Sequence, residues 1–257
     1  MNVNSGFIKI RKELAFEMKL GLFGGTFDPV HNGHIRCAEE IKAAFSLDAI
    51  IFIPAGNPTH KIASRVTPGA MRIEMLRRAV CGKDGFYVWE TEVKRRGYTY
   101  TVDTLEELSG ILAGDFGGER AELYYIVGTD VIGSVDKWKD FGKVSEMCGF
   151  IAVKRPGEDD DDVYEKNVEK ARNAGAVVFC ADIKGLIKSS SSEIRQAVYE
   201  KRDISTAVPE GVAKYIIDNK LYRYDRPVSE ELIRADLKER LTEEKYIHSL
   251  GVAAGSE

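Results

Sequence analysis

Histidine and cysteine are both scarce in this chain, at four of each in 257 residues. The cysteines, Cys37, Cys81, Cys148 and Cys180, lie far apart and form no CxxC pair. Each falls within or beside an apolar segment, so they read as buried, reduced thiols of a cytoplasmic protein. An excess of basic charge is missing too: Lys and Arg number 37 against 41 Asp and Glu, for a net charge of −4. Sequence-independent binding to nucleic acid depends on a basic surface, so no nucleic-acid partner is expected. No apolar run approaches the ~20 residues that span a bilayer, and no membrane partner is expected. Residues 1–17 mix Arg11, Lys12, Glu13 and Glu17 and lack the apolar centre of a signal peptide. The length suits one large α/β domain, or a domain of roughly 200 residues with an appendage.

What the chain does have is concentrated at residues 19–34. Lys19-Leu20-Gly21-Leu22-Phe23 reads as a buried strand. It breaks into a turn of Gly, Asp, Pro and Asn, then recovers as an amphipathic helix with Ile35, Ala38, Ile41, Ala44 and Phe45. Strand, glycine turn and helix in that order make the first half of a βαβ unit. Gly24 and Gly25 permit close approach of backbone to a ligand, and the helix start offers N–H groups and a positive dipole end that suit phosphate. His31 and His34, three apart at this helix start, can both donate to phosphate oxygens.

Gly24-Gly25-Thr26-Phe27-Asp28-Pro29-Val30-His31-Asn32-Gly33-His34 resembles the signature of the nucleotidyltransferases that carry a (T/H)xGH motif. Within that superfamily the chain resembles the bacterial nicotinate-nucleotide adenylyltransferases over residues 18–224. The loop Pro54-Ala55-Gly56-Asn57-Pro58-Thr59-His60-Lys61 is similar to their acceptor loop, which implies that Lys61 reaches the mononucleotide phosphate. Thr99-Tyr100-Thr101-Val102-Asp103-Thr104-Leu105 resembles the (S/T)YTxDTL motif, implying that Tyr100 and Thr101 help to hold the pyridine base. Gly128-Thr129-Asp130 resembles a G(A/T)D segment at the nucleotide ribose, and Trp138 the tryptophan that stacks on the pyridine ring. Residues 189–195 (SSSSEIR) resemble (I/V)SSTxIR, with Ser189 in place of a branched apolar residue and Ser192 in place of threonine. The resemblance puts Ser190, Ser191 and Arg195 on the triphosphate, together with Gly24, Gly25, Thr26, Phe27, His31 and His34.

The residues carry a plainer reading alongside. Residues 49–53 are a continuous apolar run, the mark of a buried parallel strand. Thr67-Pro68 opens a helix through Val80, with Pro68 at its first position and Met71, Met75, Leu76 and Ala79 on the buried face. Residues 86–89 read as a third strand, residues 90–97 as a polar hairpin-like stretch, and Thr101 as an N-cap. Further strands fall at 123–127, 149–153 and 176–180. On spacing alone Trp138 reads equally well as a packing residue. The five acids at 158–162 read as a solvated cap ahead of a helix rather than a metal site. Ser192, standing where the motif has threonine, keeps the N-cap character of that position.

These readings predict a doubly wound, Rossmann-like α/β fold with a mostly parallel sheet. Residues 1–17 are expected to be a non-essential extension upstream of a start at Met18, and residues 18–224 the catalytic domain. In residues 225–257, Leu232, Ile233, Leu237 and Leu241 form a helical stripe. The segment 238–253 resembles the opening of an HD-type phosphohydrolase domain, though His248 lacks partners to complete a metal site. The resemblance implies adenylyl transfer from ATP to nicotinate mononucleotide, with Mg²⁺ accompanying ATP and His31, His34 and Arg195 as catalytic groups. Nicotinamide mononucleotide or another phosphorylated acceptor stays open, as does a non-catalytic nucleotide-binding regulator. So does the oligomeric state, a homo-oligomer included.

Overall fold

The computed structural model describes residues 17–56, 66–115, 120–154, 160–183 and 190–223. Six strands form one parallel sheet: β1 (Glu17–Gly25), β2 (Ala49–Pro54), β3 (Phe86–Val88), β4 (Arg120–Gly128), β5 (Gly149–Lys154) and β6 (Val178–Asp182). Their spatial order is β3-β2-β1-β4-β5-β6, and every neighbouring pair is parallel. The chain winds outward from β1 to one edge, returns, and winds from β4 to the other. The switch point therefore lies between the carboxyl ends of β1 and β4, where open α/β sheets receive ligands.

All six residues of β2 are buried, and alternate side chains serve opposite faces. Ile51 and Ile53 join one core with Leu20, Leu22, Tyr125, Val127 and Phe150. Ile50 and Phe52 join the other with Ile126, Ile151 and Val153. Helices cover both. The first face is closed by α4 (Thr101–Asp115) through Leu105, Leu108 and Leu112, by the short α5 (Thr129–Ile132) through Ile132, by α6 (Phe141–Met147) through Val144, and by α7 (Asp161–Asn173) through Tyr164, Val168 and Ala171. The second is closed by α1 (Asn32–Ala44), α2 (Gly69–Ala79), α8 (Ser191–Tyr199) and α9 (Glu210–Asp218). Each fully buried Ile, Leu or Phe contributes about 1.5–3 kcal/mol, so the two-sided core dominates the stability.

Several local expectations need correction. Residues 90–97 are not hairpin-like: Thr91–Lys94 is the short helix α3. Its polar residues are held from α4, where Thr91 Oγ1 donates to Glu107 at 2.6 Å and Thr104 Oγ1 donates to the buried Glu92 at 3.0 Å. Pro68 is the N-cap of α2 rather than its first helical residue. Thr101 is the first residue of α4 rather than its cap, since the Thr104 N–H already bonds the Tyr100 carbonyl. Met71 and Phe45 are half-buried and Ala44 is exposed, at the margin of their helical stripes. The last strand begins two residues later than expected. Cys37 and Cys148 are buried, but Cys81 lies exposed in the turn after α2, and Cys180 lies exposed on the edge strand β6. The acid run behaves as expected where it is described: Asp160 caps α7 by accepting from the Val163 N–H, with Asp161 and Asp162 in the first turn.

Candidate active site

The β1–α1 turn is built as a cap. His31 occupies the N-cap of α1 in extended conformation, and its Nδ1 accepts the His34 N–H at 3.3 Å. His34 returns the contact by accepting the His31 N–H at its own Nδ1, also at 3.3 Å. The two imidazoles stack 3.7 Å apart, and His34 lies edge-on to Phe27. An Nδ1 that accepts leaves Nε2 as the protonated nitrogen of a neutral ring, so each imidazole has a donor on its far side. Burial lowers the His31 pKa to about 4, with Glu193 opposing the shift. A neutral His31 is thus the resting form at neutral pH.

A second helix start meets this turn. Ser190 caps α8 in a reciprocal capping box with Glu193. Ser191 Oγ donates to the Pro29 carbonyl at 2.9 Å, and Arg195 donates to the Asp28 carbonyl at 2.7 Å and to Ser192 Oγ at 3.1 Å. Residues separated by more than 160 positions in sequence are joined here by direct hydrogen bonds. The α1 start, carrying His31 and His34, and the α8 start, carrying Ser190, Ser191 and Arg195, therefore share one edge of the sheet. Both present the positive ends of helix dipoles, a pairing suited to polyphosphate.

Gly24 and Gly25 prove to be needed for packing. A Cβ on Gly24 would stand 2.3 Å from the Tyr125 hydroxyl, and one on Gly25 would stand 2.8 Å from the Phe27 ring. Phe27 itself takes a left-handed φ of 51°. Beside them, Gly128 ends β4, which pairs with β1, and Asp130 lies exposed in the short helix that follows.

On the other face of the sheet, Thr101 and Trp138 converge on Tyr125. The Tyr125 hydroxyl lies beside the Thr101 side chain, and its ring lies 5.5 Å from Trp138 in an edge-on contact. Trp138 also touches Phe150 at 5.9 Å, so part of its surface serves the core, as the spacing allowed. Tyr100 is 39% exposed, with Lys139 Nζ 4.6 Å above its ring. Lys61, together with His60, lies outside the described residues, as do Ser189 and the segment 224–257.

Three buried groups at this edge were not singled out from sequence. Arg72, 2% exposed, donates to the carbonyls of Thr26 at 2.7 Å, Ala55 at 2.8 Å and Thr67 at 2.9 Å. Asp28, 3% exposed, accepts the Thr67 N–H at 3.1 Å and the Tyr222 hydroxyl at 2.7 Å. Burial lowers the Arg72 pKa from its ordinary value, opposed by the Asp28 charge. Arg72, Met75, Leu76 and Ala79 stand at i, i+3, i+4 and i+7 on α2, so helical periodicity could have placed Arg72 on the inner face. Tyr125 carried no comparable signal within its apolar strand. Among the described residues no group of three or more His, Cys, Asp or Glu is arranged to hold a metal, and no helix is long and apolar enough to cross a membrane.

Comparison with known proteins narrows the class that this fold and paired-helix edge define. Residues 22–197 match the family model described as cytidylyltransferase-like. Proteins named "Probable nicotinate-nucleotide adenylyltransferase" from Thermoanaerobacter sp. (strain X514) and Dehalococcoides mccartyi (strain ATCC BAA-2266 / KCTC 15142 / 195) are each 38% identical. The first aligns over 209 residues, 81% of this chain and 96% of the relative, and the second over 205 residues, 80% and 97%. A solved Plasmodium falciparum nicotinic acid mononucleotide adenylyltransferase, complexed with NaAD, shares the fold. Its TM-score is 0.62 at 20% identity, covering 81% of this chain and 98% of that one. The chain belongs to the nicotinate-nucleotide adenylyltransferase family.

Proposed function

We infer that this protein transfers AMP from ATP to nicotinate mononucleotide, forming deamido-NAD and pyrophosphate. The observation that carries the reading is the meeting of two helix starts, one with His31 and His34 and one with Ser190, Ser191 and Arg195, beside the β1–β4 switch point. Family membership supplies the acceptor.

The mononucleotide phosphate is itself the nucleophile. One of its oxygens attacks the α-phosphorus of ATP, the bond from that phosphorus to the bridging oxygen breaks, and pyrophosphate leaves in line. No covalent enzyme intermediate is needed. The protein's work is to hold two anions together and to meet charge as it develops on the leaving group. His34 and Arg195 serve the leaving phosphates, and His31 the α/β region through its Nε2–H. A guanidinium has five donors, so the contacts of Arg195 to Asp28 and Ser192 leave it capacity for phosphate. Gly24, Gly25, Thr26 and Phe27 line the nucleotide side, with Ser190 and Ser191 at the second helix start. Gly128 and Asp130 serve the ribose. Lys61 takes the acceptor phosphate, and Tyr100, Thr101 and Trp138 take the pyridine. Mg²⁺ accompanying ATP would neutralise part of the triphosphate charge.

ATP labelled at the α-phosphorus tests the reading. Incubated with nicotinate mononucleotide, the label should pass into the dinucleotide, with one pyrophosphate per turnover. A nucleotide-binding regulator would hold ATP with its label unmoved.

A further inference from the structure

Three carbonyl groups of the nucleotide loop are held by side chains of other elements. Thr26 gives its oxygen to Arg72, Asp28 to Arg195, and Pro29 to Ser191. In a trans peptide the carbonyl and the next N–H point in opposite directions, and Asp28-Pro29 is the only cis bond among the described residues. Drawing the Thr26 oxygen onto the buried Arg72 therefore turns the Phe27 N–H to the opposite side. A loop that receives a polyphosphate needs this polarity, with oxygens turned away and N–H groups towards the anion. Arg72 is the most buried of the groups that impose it. The same guanidinium also holds the Ala55 carbonyl just after β2 and the Thr67 carbonyl just before α2.

We propose that Arg72 is a positioning residue for adenylyl transfer: it fixes the polarity of the nucleotide loop and its register against the carboxyl end of β2. Asp28 and Tyr222 complete the hold. Asp28 lies in the loop, and its carboxylate takes the Thr67 N–H and the Tyr222 hydroxyl, so the loop, the start of α2 and the segment after α9 are tied at one buried point. Arg72 touches no substrate in this account. It acts through the Thr26 peptide, and the inference rests on the adenylyltransferase reading above.

Arg72→Lys keeps the charge but cannot span three carbonyls with a single ammonium. Its readouts are the melting temperature, the ATP dissociation constant by calorimetry, and kcat per folded molecule. Val168→Ala, on the buried side of α7 and in the core opposite the one that Phe27 and Val30 join, supplies a destabilised control. A misplacement near 1 Å costs about 10²-fold in rate. Arg72→Lys is therefore expected to lower kcat by roughly 10–10²-fold and to weaken ATP binding several-fold, while Val168→Ala leaves both unchanged. Wild-type kcat and ATP affinity in folded Arg72→Lys would overturn the proposal, as would equal losses in the control. If Arg72→Lys does not fold, Tyr222→Phe removes one hydroxyl from the same point. A several-fold drop in kcat supports the hold, and an unchanged kcat and ATP affinity overturns it. Should the wild-type protein bind ATP yet make no dinucleotide, the catalytic reading fails by itself, and the ATP affinities still decide the role of Arg72.

Discussion

An imidazole that is buried and already accepts a backbone N–H at Nδ1 resists protonation, and His31 is held that way. Its folded pKa, about 4, lies below the ordinary 6.5, so between these values the unfolded chain binds a proton that the folded chain does not. The stabilisation is complete above pH 6.5 and is lost as the pH falls through 4. Urea unfolding at pH 7.5 and 4.5 should show the wild type losing roughly 2–3 kcal/mol more than His31→Gln over that interval. Equal losses would mean that His31 is not held neutral. His34→Ala is a different experiment. It removes half of the capping box, at about 1 kcal/mol, and it removes a donor to the leaving phosphates, at ~10²–10³ in kcat. An unchanged kcat in the folded variant would end that role.

Among the elements, α8 is anchored at its start more than along its length. Ser190→Ala should cost about 1 kcal/mol of stability by the loss of its cap, measured by denaturant unfolding. A smaller effect than Ser192→Ala would place the cap elsewhere. That a helix starts within the serine run was legible in sequence because serine at a helix start is a local signal, but the motif's threonine position points to Ser192, whereas Glu193 selects Ser190, three residues before it. The β1–α1 junction and the apolar strands were legible for the same reason. What escaped was long-range. Helix α3 has only four residues, and it is held by Glu107 and Thr104 of another element, so no periodicity within residues 90–97 could announce it. Arg72 and Asp28 carry charges that a local reading leaves to solvent, and only the convergence of Thr26, Ala55 and Thr67 makes their burial sensible. Thr101 was marked as a base contact, yet its link to Trp138 runs through Tyr125, a residue hidden in a strand of buried neighbours.

At the scale of the molecule, the doubly wound sheet brings both helix starts to one edge, and the last described contact at that edge belongs to Tyr222. The curated relatives align over 205–209 residues of this chain at 96–97% of their own length. A chain ending after residue 224 should therefore keep adenylyl transfer within about two-fold of the full chain, whereas one ending before Tyr222 should lose much of it. Pyrophosphate release measured with ATP and either mononucleotide decides whether adenylyl transfer goes to an acid acceptor. A pocket that pairs buried N–H groups with a carboxylate rejects the amide by ~10⁴ or more. Release should be rapid with nicotinate mononucleotide and lower in kcat/KM by about that factor with nicotinamide mononucleotide. No release with the acid, or equal kcat/KM for acid and amide, would contradict the account.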